Sequence, residues 1–64
     1  MTYQDRIKGL REDADLTQAE MAKILNIAQT TYSQYERGSR GIPIEILLKI
    51  SEYYKVSTDW ILKG

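Results

Sequence analysis

The stretch from Gln18 to Arg37 constrains the fold more than any other part of the sequence, because its apolar residues recur at helical spacing in two separate stripes. The stripes consist of Met21 and Leu25, then Tyr32 and Tyr35. Residues three or four positions apart share one face of a helix. Between the stripes, Asn26 can end a helix in the left-handed conformation. The pattern predicts two short helices joined by a tight turn, and an ordinary helical hairpin without a binding role is the alternative.

Local signals set the ends of these two helices. Thr17 and Glu20 form a capping box, in which each side chain accepts a hydrogen bond from a backbone amide near the helix start. The first helix is therefore expected to run from Gln18 to about Leu25. The second is expected from about Gln29 to Arg37, because Gly38 can adopt the left-handed conformation that closes a helix.

Three more helices are expected outside this pair. Thr2 and Ser57 can each cap a helix start, and Pro43 is suited to the first helical position, where its missing amide hydrogen costs nothing. The expected helices run from about Tyr3 to Ala14, from about Ile44 to Tyr54, and from Ser57 onward. The residues expected to face the core from the last two helices are Ile44, Leu47, Leu48, Ile50, Ser51, Tyr54, Trp60 and Leu62. Residues 1–64 are thus expected to form a single helical domain.

Gly9 does not fit this pattern. It lies on the polar face of the first helix, where glycine costs about 1 kcal/mol relative to alanine and no packing reason for it is apparent. Acidic residues follow at the end of the same helix, where they oppose the helix dipole. The helix is therefore expected to stop near Ala14, while Gly9 has no explanation in the sequence.

Composition excludes several kinds of chemistry. The 64 residues include no cysteine and no histidine, which excludes disulfides, thiolate or imidazole metal ligands, and nucleophiles that depend on either residue. The alternating Asp13 and Asp15 do not open a calcium loop, because Gln18 and Ile24 occupy the positions that need glycine and glutamate. We therefore expect no enzymatic activity, no cofactor and no metal. The sequence has no apolar run long enough to span a membrane and no leader pattern, so cytoplasmic residence is the expectation.

The overall charge gives little support for nucleic-acid binding, because nine basic and nine acidic residues leave a net charge of zero. The distribution of charge is more informative. At 100° per residue, the polar side chains of the helix over 29–37 fall within about 140° of one another, and none is a carboxylate. These side chains are Gln29, Thr30, Ser33, Gln34 and Arg37. A plain solvated face is the alternative, although such faces usually mix glutamate with lysine.

A family resemblance covers nearly the whole chain. Its motifs are Leu16-Thr17-Gln18, Glu20, Ala22, Leu25, Gln29, Ser33, Tyr35-Glu36-Arg37-Gly38, Val56-Ser57 and Asp59-Trp60. Together they resemble the lambda-repressor-like helix-turn-helix domains of phage repressors, Cro proteins and the xenobiotic-response-element family of bacterial regulators. The resemblance implies a five-helix, all-α domain in which the helix over 29–37 enters the major groove and the helix over 18–25 crosses the DNA backbone.

The resemblance also implies roles for individual residues. Gln29, Thr30 and Gln34 fall where the family reads base edges, and Gln18 falls where it contacts phosphate and braces the first reading glutamine. Because glutamine can bond both N6 and N7 of adenine, and the threonine methyl can touch that of thymine, these residues favour half-sites that contain A·T pairs.

Other carried-over positions concern the scaffold. Arg11 and Glu36 match a pair that these domains commonly join by a salt bridge. The sequence departs from the family at Ala28, where serine or threonine is usual, and at Asn26 and Lys55, where glycine is common. The ends of the helices next to these three positions are therefore less firmly set.

Several polar and basic side chains are candidates for contacts with the DNA backbone. They are Gln18, Arg11, Lys23, Ser33, Arg37 and Arg40. Such contacts supply affinity and position rather than sequence information. For each basic residue taken alone, an ordinary solvated charge is an equally good interpretation.

These observations leave three classes of function. The first is a sequence-specific regulator, expected to be a repressor that binds a palindromic operator on double-stranded DNA as a dimer. The second is an antitoxin-like protein-interaction module of the same fold, which the neutral charge favours. The third, an enzyme, lacks paired carboxylates on an apolar face and lacks a phosphate-binding loop.

A dimer is expected because a single module reads only a few base pairs. With Trp60 and Leu62 assigned to the core, the remaining exposed apolar candidates for the dimer contact are Ile61 and Tyr53. This patch is small, which predicts a weak homodimer whose association is completed on DNA. Scattered surface residues are the alternative.

Overall fold

The computed structural model describes residues 2–64, which contain five α-helices and no strand. The helices are α1 (Tyr3–Asp13), α2 (Gln18–Leu25), α3 (Gln29–Arg37), α4 (Ile44–Tyr54) and α5 (Thr58–Lys63). The predicted all-α architecture of five helices is confirmed. The predicted ends agree to within a residue, although α3 and α4 begin at Ala28 and Pro43 without a side-chain cap.

The caps account for where the helices begin and end. The Thr17 hydroxyl accepts from the Glu20 amide at 3.1 Å, while the Glu20 carboxylate accepts from the Thr17 amide at 2.8 Å. Thr2 and Asp5 form the same reciprocal box at the start of α1. At the other ends, Asn26 closes α2 with a φ of 60°. A left-handed residue satisfies the last carbonyls of a helix and turns the chain away.

The core lies where α1, α2 and α3 meet, with α4 and α5 closing the far side. Its buried side chains are Ile7, Met21, Ala22, Leu25, Tyr32, Tyr35, Ile46, Ile50 and Ile61. Both apolar stripes predicted for the central stretch are therefore inside. The buried Ala22 lies in α2, which packs extensively against α3, and a methyl side chain allows two helices to approach closely.

The predicted orientation of α5 is wrong. Ile61 is completely buried, whereas Trp60 and Leu62 are 42% and 47% exposed. Ile61 packs in the core together with Ile7 of α1 and Ile46 and Ile50 of α4. Its carbonyl also accepts a 2.7 Å hydrogen bond from Arg6 Nε, which ties α5 to α1. Residues on either side of Ile61 then point about 100° away from it. Ile61 is therefore not available as a dimer contact.

The predicted inward face of α4 also needs correction. Ile46 and Ile50 are buried, while Ile44 and Leu48 are exposed and Leu47 is half-buried. Ile46 and Ile50 lie four residues apart and define one stripe, so Ile44 and Leu48 fall outside it. A nearly continuous apolar run such as 46–48 does not indicate which of its members face inward.

Gly9 remains unexplained by the fold. It lies inside α1, and a β-carbon built there would meet nothing within 4 Å. The neighbouring structure therefore does not require glycine at this position. The helix bears the conformational cost without any packing gain within the domain.

We expect Gly9→Ala to raise the free energy of unfolding by about 1 kcal/mol, because alanine restricts the unfolded chain and fits open space in the helix. Urea denaturation followed by circular dichroism measures the change. Gly38→Ala is the matched control and should destabilise, because Gly38 has a φ of +79°. An unchanged or lower midpoint for Gly9→Ala would contradict the prediction.

Candidate nucleic-acid interface

The polar side chains predicted to act together do form one surface. Residues from α2 and α3 line a shallow depression of about 420 Å³ on the outside of the domain. They are Gln18, Gln29, Thr30, Ser33, Gln34 and Arg37. Five of the six come from α3, and no carboxylate lines the depression. We call this set the α2–α3 face.

The turn between α2 and α3 positions this face. The Ile27 amide donates to the Ala22 carbonyl at 2.9 Å, which closes the turn after the left-handed Asn26. On the inner side of α3, Tyr32 and Tyr35 are buried in the core. Because both tyrosines anchor the same side of the helix, the polar side chains project outward from a rigid base.

A part-buried ion pair joins α1 to α3 beneath the α2–α3 face, and a hydrogen bond from α2 completes it. Arg11 Nε of α1 lies 2.7 Å from Glu36 Oε2 of α3, and Arg11 Nη2 lies 3.2 Å from Glu36 Oε1. Their side chains are only 11% and 4% exposed. Gln18 Nε2 of α2 also donates to Glu36 Oε1, at 3.0 Å. The structure thus contains the ion pair predicted from the sequence and links it to a member of the face.

The bond between Gln18 and Glu36 was not predicted. These residues are eighteen positions apart on different helices, so no local periodicity pairs them. Because the Gln18 amide nitrogen is engaged by a fixed carboxylate, the orientation of this side chain is set from inside the domain. Gln18 is therefore positioned before any ligand arrives.

Arg11 is engaged within the domain, and its contact with the DNA backbone stays a prediction. Two of its nitrogens bond Glu36, and Nη1 donates to the Leu16 carbonyl at 2.7 Å. These bonds use three of the five N–H groups of the guanidinium. The other basic candidates, Lys23, Arg37 and Arg40, are exposed, and Arg37 extends beside the Ser33 hydroxyl.

Residues 2–64 contain neither a metal-binding cluster nor a membrane-spanning helix. No group of three or more acidic side chains is arranged to hold a metal ion in this part of the chain. None of its helices is long and apolar enough to cross a membrane.

The Helix-turn-helix family model matches residues 7–61. The chain belongs to the helix-turn-helix family. It is 44% identical over 62 residues to the HTH-type transcriptional regulator ImmR of Bacillus subtilis, a region that covers 97% of this chain and 49% of ImmR. It is 39% identical over 51 residues to the antitoxin PezA of Streptococcus pneumoniae, covering 80% of this chain and 32% of PezA. The chain spans about half the length of curated regulators such as ImmR.

A solved structure supports the same assignment. The P22 c2 repressor, crystallised with synthetic operator 9T, matches this helix-turn-helix domain with a TM-score of 0.90 and 30% sequence identity. The match covers all of this chain and 97% of that one. The predicted resemblance to phage repressors is therefore confirmed.

The ion pair of this helix-turn-helix domain also sets the acid response of Glu36. Burial alone would raise the pKa of Glu36, but the hydrogen bonds around it, that from Arg11 foremost, lower the pKa below its ordinary value. The Tyr32 hydroxyl is buried close to the same carboxylate, and burial raises the pKa of Tyr32 far above its usual range. The site thus favours an ionised Glu36 beside a neutral Tyr32.

Arg11→Met should lower the free energy of unfolding, but by less than the roughly 3 to 5 kcal/mol that breaking a fully buried pair costs, because it leaves the part-buried Glu36 carboxylate without its main partner. Adding Glu36→Leu should restore much of that loss, since no buried charge then remains unpaired. Urea denaturation of both variants at pH 7 measures the difference. A double variant no more stable than Arg11→Met alone would show that the two residues do not depend on each other.

The pH dependence gives a second measure of the same pair. A group whose pKa is lower in the folded state stabilises above its unfolded pKa, near 4.5, and loses that contribution as pH falls through the folded pKa. The wild type should therefore lose stability below about pH 4.5, and the double variant should lose less. Glu20→Gln is the control for the exposed capping boxes, whose acids also have lowered pKa values.

Proposed function

We propose that this chain is a sequence-specific, DNA-binding transcriptional repressor that places α3 in the major groove of double-stranded DNA. The α2–α3 face carries the proposal, because it presents amides, hydroxyls and a guanidinium without a single carboxylate. Such groups can meet both base edges and phosphates. The likeness to an operator-bound repressor supports the same docking. We also propose that the protein is not an enzyme, and that it acts in the cytoplasm with double-stranded DNA as its partner.

Three side chains of α3 are suited to read bases, of which Gln29 and Thr30 are exposed and Gln34 is half-buried. Gln29 and Gln34 can each bond N6 and N7 of adenine, and Thr30 can bond a base edge or touch a thymine methyl. Gln18 is held from behind by Glu36 at 3.0 Å, which leaves it suited to brace Gln29 and contact a phosphate. Sites that contain A·T pairs are therefore the expected target.

The affinity would come from basic residues around these three. Arg37 lies at the end of α3, Arg40 lies in the loop that follows it, and Lys23 lies beside the α2–α3 turn. Ser33 Oγ lies 3.5 Å from Arg37 Nη1, so the two can contact one phosphate together. Local positive charge at this face matters more for DNA binding than the net charge of zero.

Selection of binding sites from random-sequence DNA would test base recognition and phosphate contacts separately. Gln29→Ala and Gln34→Ala should each relax base preference at defined positions, by about 1 to 3 kcal/mol for each bidentate pair of hydrogen bonds that the substitution removes. Arg40→Ala should weaken all sequences alike and lower the salt slope by about one unit. If the glutamine variants weaken binding equally on every sequence, the reading residues are misassigned.

We further propose that two copies bind a palindromic operator as a weak dimer completed on DNA. Two-fold pairing would set the α3 helices about 34 Å apart, one in each of two successive major grooves. Of the two residues predicted for the contact, Ile61 is buried, so the proposal rests on Tyr53, which is 48% exposed and is one of several exposed apolar side chains. Its ring packs edge-on against Tyr54 at 5.0 Å, which leaves its outer side free.

Tyr53→Asp should abolish cooperative binding to a duplex with two half-sites, while binding to one half-site stays unchanged. The physical reason is that a carboxylate at the contact is desolvated without a partner. Tyr53→Phe is the matched control, because it keeps the ring and its packing on Tyr54. Sedimentation and gel shifts measure both properties, and full cooperativity in Tyr53→Asp would remove this residue from the dimer contact.

A second candidate function is an antitoxin-like interaction module with secondary DNA binding. The similarity to PezA favours it. Affinity purification separates the two proposals. A stoichiometric protein partner, together with selected DNA sites bound no better than random sequence, would support the second over the first.

A further inference from the structure

The hydrogen bond between Gln18 and Glu36 determines which way the Gln18 side chain faces. Glu36 Oε1 lies 3.0 Å from Gln18 Nε2, and both oxygens of the carboxylate are also bonded by Arg11. Burial opposes ionisation of Glu36, but its hydrogen bonds, that from Arg11 foremost, hold its pKa below the ordinary value. An ionised carboxylate can only accept hydrogen bonds. Gln18 must therefore turn its amide nitrogen, and not its amide oxygen, toward Glu36.

The amide oxygen of Gln18 is then left for the α2–α3 face. A glutamine amide carries an oxygen that accepts and a nitrogen that donates, and both are attached to the same carbon atom. With the nitrogen directed at Glu36, the oxygen is directed away from it. Gln18 lines the depression of the α2–α3 face, whereas Glu36 does not. The carboxylate thus places a hydrogen-bond acceptor at the edge of this face, and that acceptor requires a donor.

Gln29 is a donor on the same side of α3 as Glu36. The two residues are seven positions apart, which is about two helical turns, so they lie along one line of the helix. Gln18 begins α2 and lines the same depression as Gln29. Arg37 also lines it, but its Nη1 lies 3.5 Å from the Ser33 hydroxyl, and its positive charge is suited to a phosphate. Gln29 is therefore the neutral amide available to the Gln18 oxygen.

We propose that Glu36, which does not line the α2–α3 face, is the positioning residue that makes Gln29 select adenine. The carboxylate turns the Gln18 oxygen outward, and this oxygen accepts one N–H of Gln29. Gln29 then presents its second N–H beside its own oxygen in a fixed order. This inference rests on the proposed function, in which α3 reads base edges in the major groove.

The fixed order matches one base. In the major groove, adenine presents an acceptor, N7, beside a donor, the N6 amino group. Guanine presents two acceptors, thymine an acceptor and a methyl group, and cytosine a donor. An unconstrained Gln29 could turn its amide over and offer the nitrogen or the oxygen to any of these. A Gln29 that is held by Gln18 keeps both of its hydrogen bonds only with adenine.

Gln34 provides an internal comparison. It lines the same depression, from the same helix, and carries the same amide. Within residues 2–64, however, the hydrogen bonds of Glu36 come from Arg11 and Gln18, and none comes from Gln34. Base preference at the position that Gln34 reads should therefore not depend on Glu36.

The test compares base preference at two positions of one DNA site. Selection from random-sequence DNA gives the site of the wild type, and Gln29→Ala and Gln34→Ala identify the base pair that each glutamine reads. Affinities for duplexes with adenine or guanine at each of these pairs are then measured for Glu36→Gln, which offers Gln18 a donor as well as an acceptor. The adenine preference at the Gln29 pair should fall about tenfold, while the preference at the Gln34 pair stays unchanged.

Loss of stability cannot imitate this result. Glu36→Gln weakens the pair with Arg11, but a partly unfolded protein loses affinity for every duplex by the same factor, so the ratio of affinities stays the same. Gln18→Met removes the amide without changing the ion pair, and it should lower the adenine preference at the Gln29 pair equally. The double variant should lose no more than either single variant, because both interrupt one chain of hydrogen bonds.

Glu20→Gln is the matched control. It also replaces a carboxylate by an amide and changes the net charge equally, but Glu20 caps α2 outside the depression. Both base preferences should be unchanged in this variant. Loss of the adenine preference in Glu20→Gln would mean that charge, and not the Gln18 bond, sets it, which would overturn the inference.

The remaining outcomes separate this inference from the proposed function. A wild type that selects no DNA site would overturn both. A selected site whose adenine preference at the Gln29 pair survives in Glu36→Gln and Gln18→Met would overturn the inference alone, and so would an equal loss at the Gln34 pair. A smaller salt slope with unchanged base preference would assign the Gln18 oxygen to Arg37 and would also overturn it.

Discussion

The Arg11–Glu36 ion pair is the interaction on which the rest of the structure depends. It joins α1 to the end of α3 and bonds Gln18 of α2, so one carboxylate fixes the relative positions of three helices. A short domain has little apolar core to do this alone. Burying two charges adds little net stability, because desolvation offsets most of their attraction, but it strongly penalises any arrangement that separates them. The pair therefore specifies how the α2–α3 face is assembled.

Features that are set within a few residues could be predicted from the sequence, whereas features set by packing could not. The boundaries of α2 follow from Thr17, Glu20 and Asn26, which act through local hydrogen bonds and backbone angles. The orientation of α5 does not, because a six-residue helix has too few turns to show which side is apolar. There the packing of Ile61 in the core decides, and the bond from Arg6 to the Ile61 carbonyl spans 55 positions of sequence.

The same distinction applies to the candidate site. The polar arc of α3 was predictable from periodicity, because the buried tyrosines mark its opposite side. The sequence could not show how the Arg11 guanidinium is engaged within the domain. As an isolated cation it is an equally good candidate for a salt bridge and for a phosphate contact, and only the packing of α1 on α3 shows that its guanidinium is already engaged. Resemblance to a family supplied the pairing with Glu36 that spacing alone could not supply.

A net charge of zero conceals two surfaces of different character. The α2–α3 face has no carboxylate in its lining, whereas a second depression, between α1 and α5, is lined by Asp5 and Asp13 with Arg6. Because DNA is attracted by positive potential and repelled by negative potential, this separation of charges favours DNA at the first surface and disfavours it at the second. A small domain can then present one surface to DNA and keep a second free of phosphate.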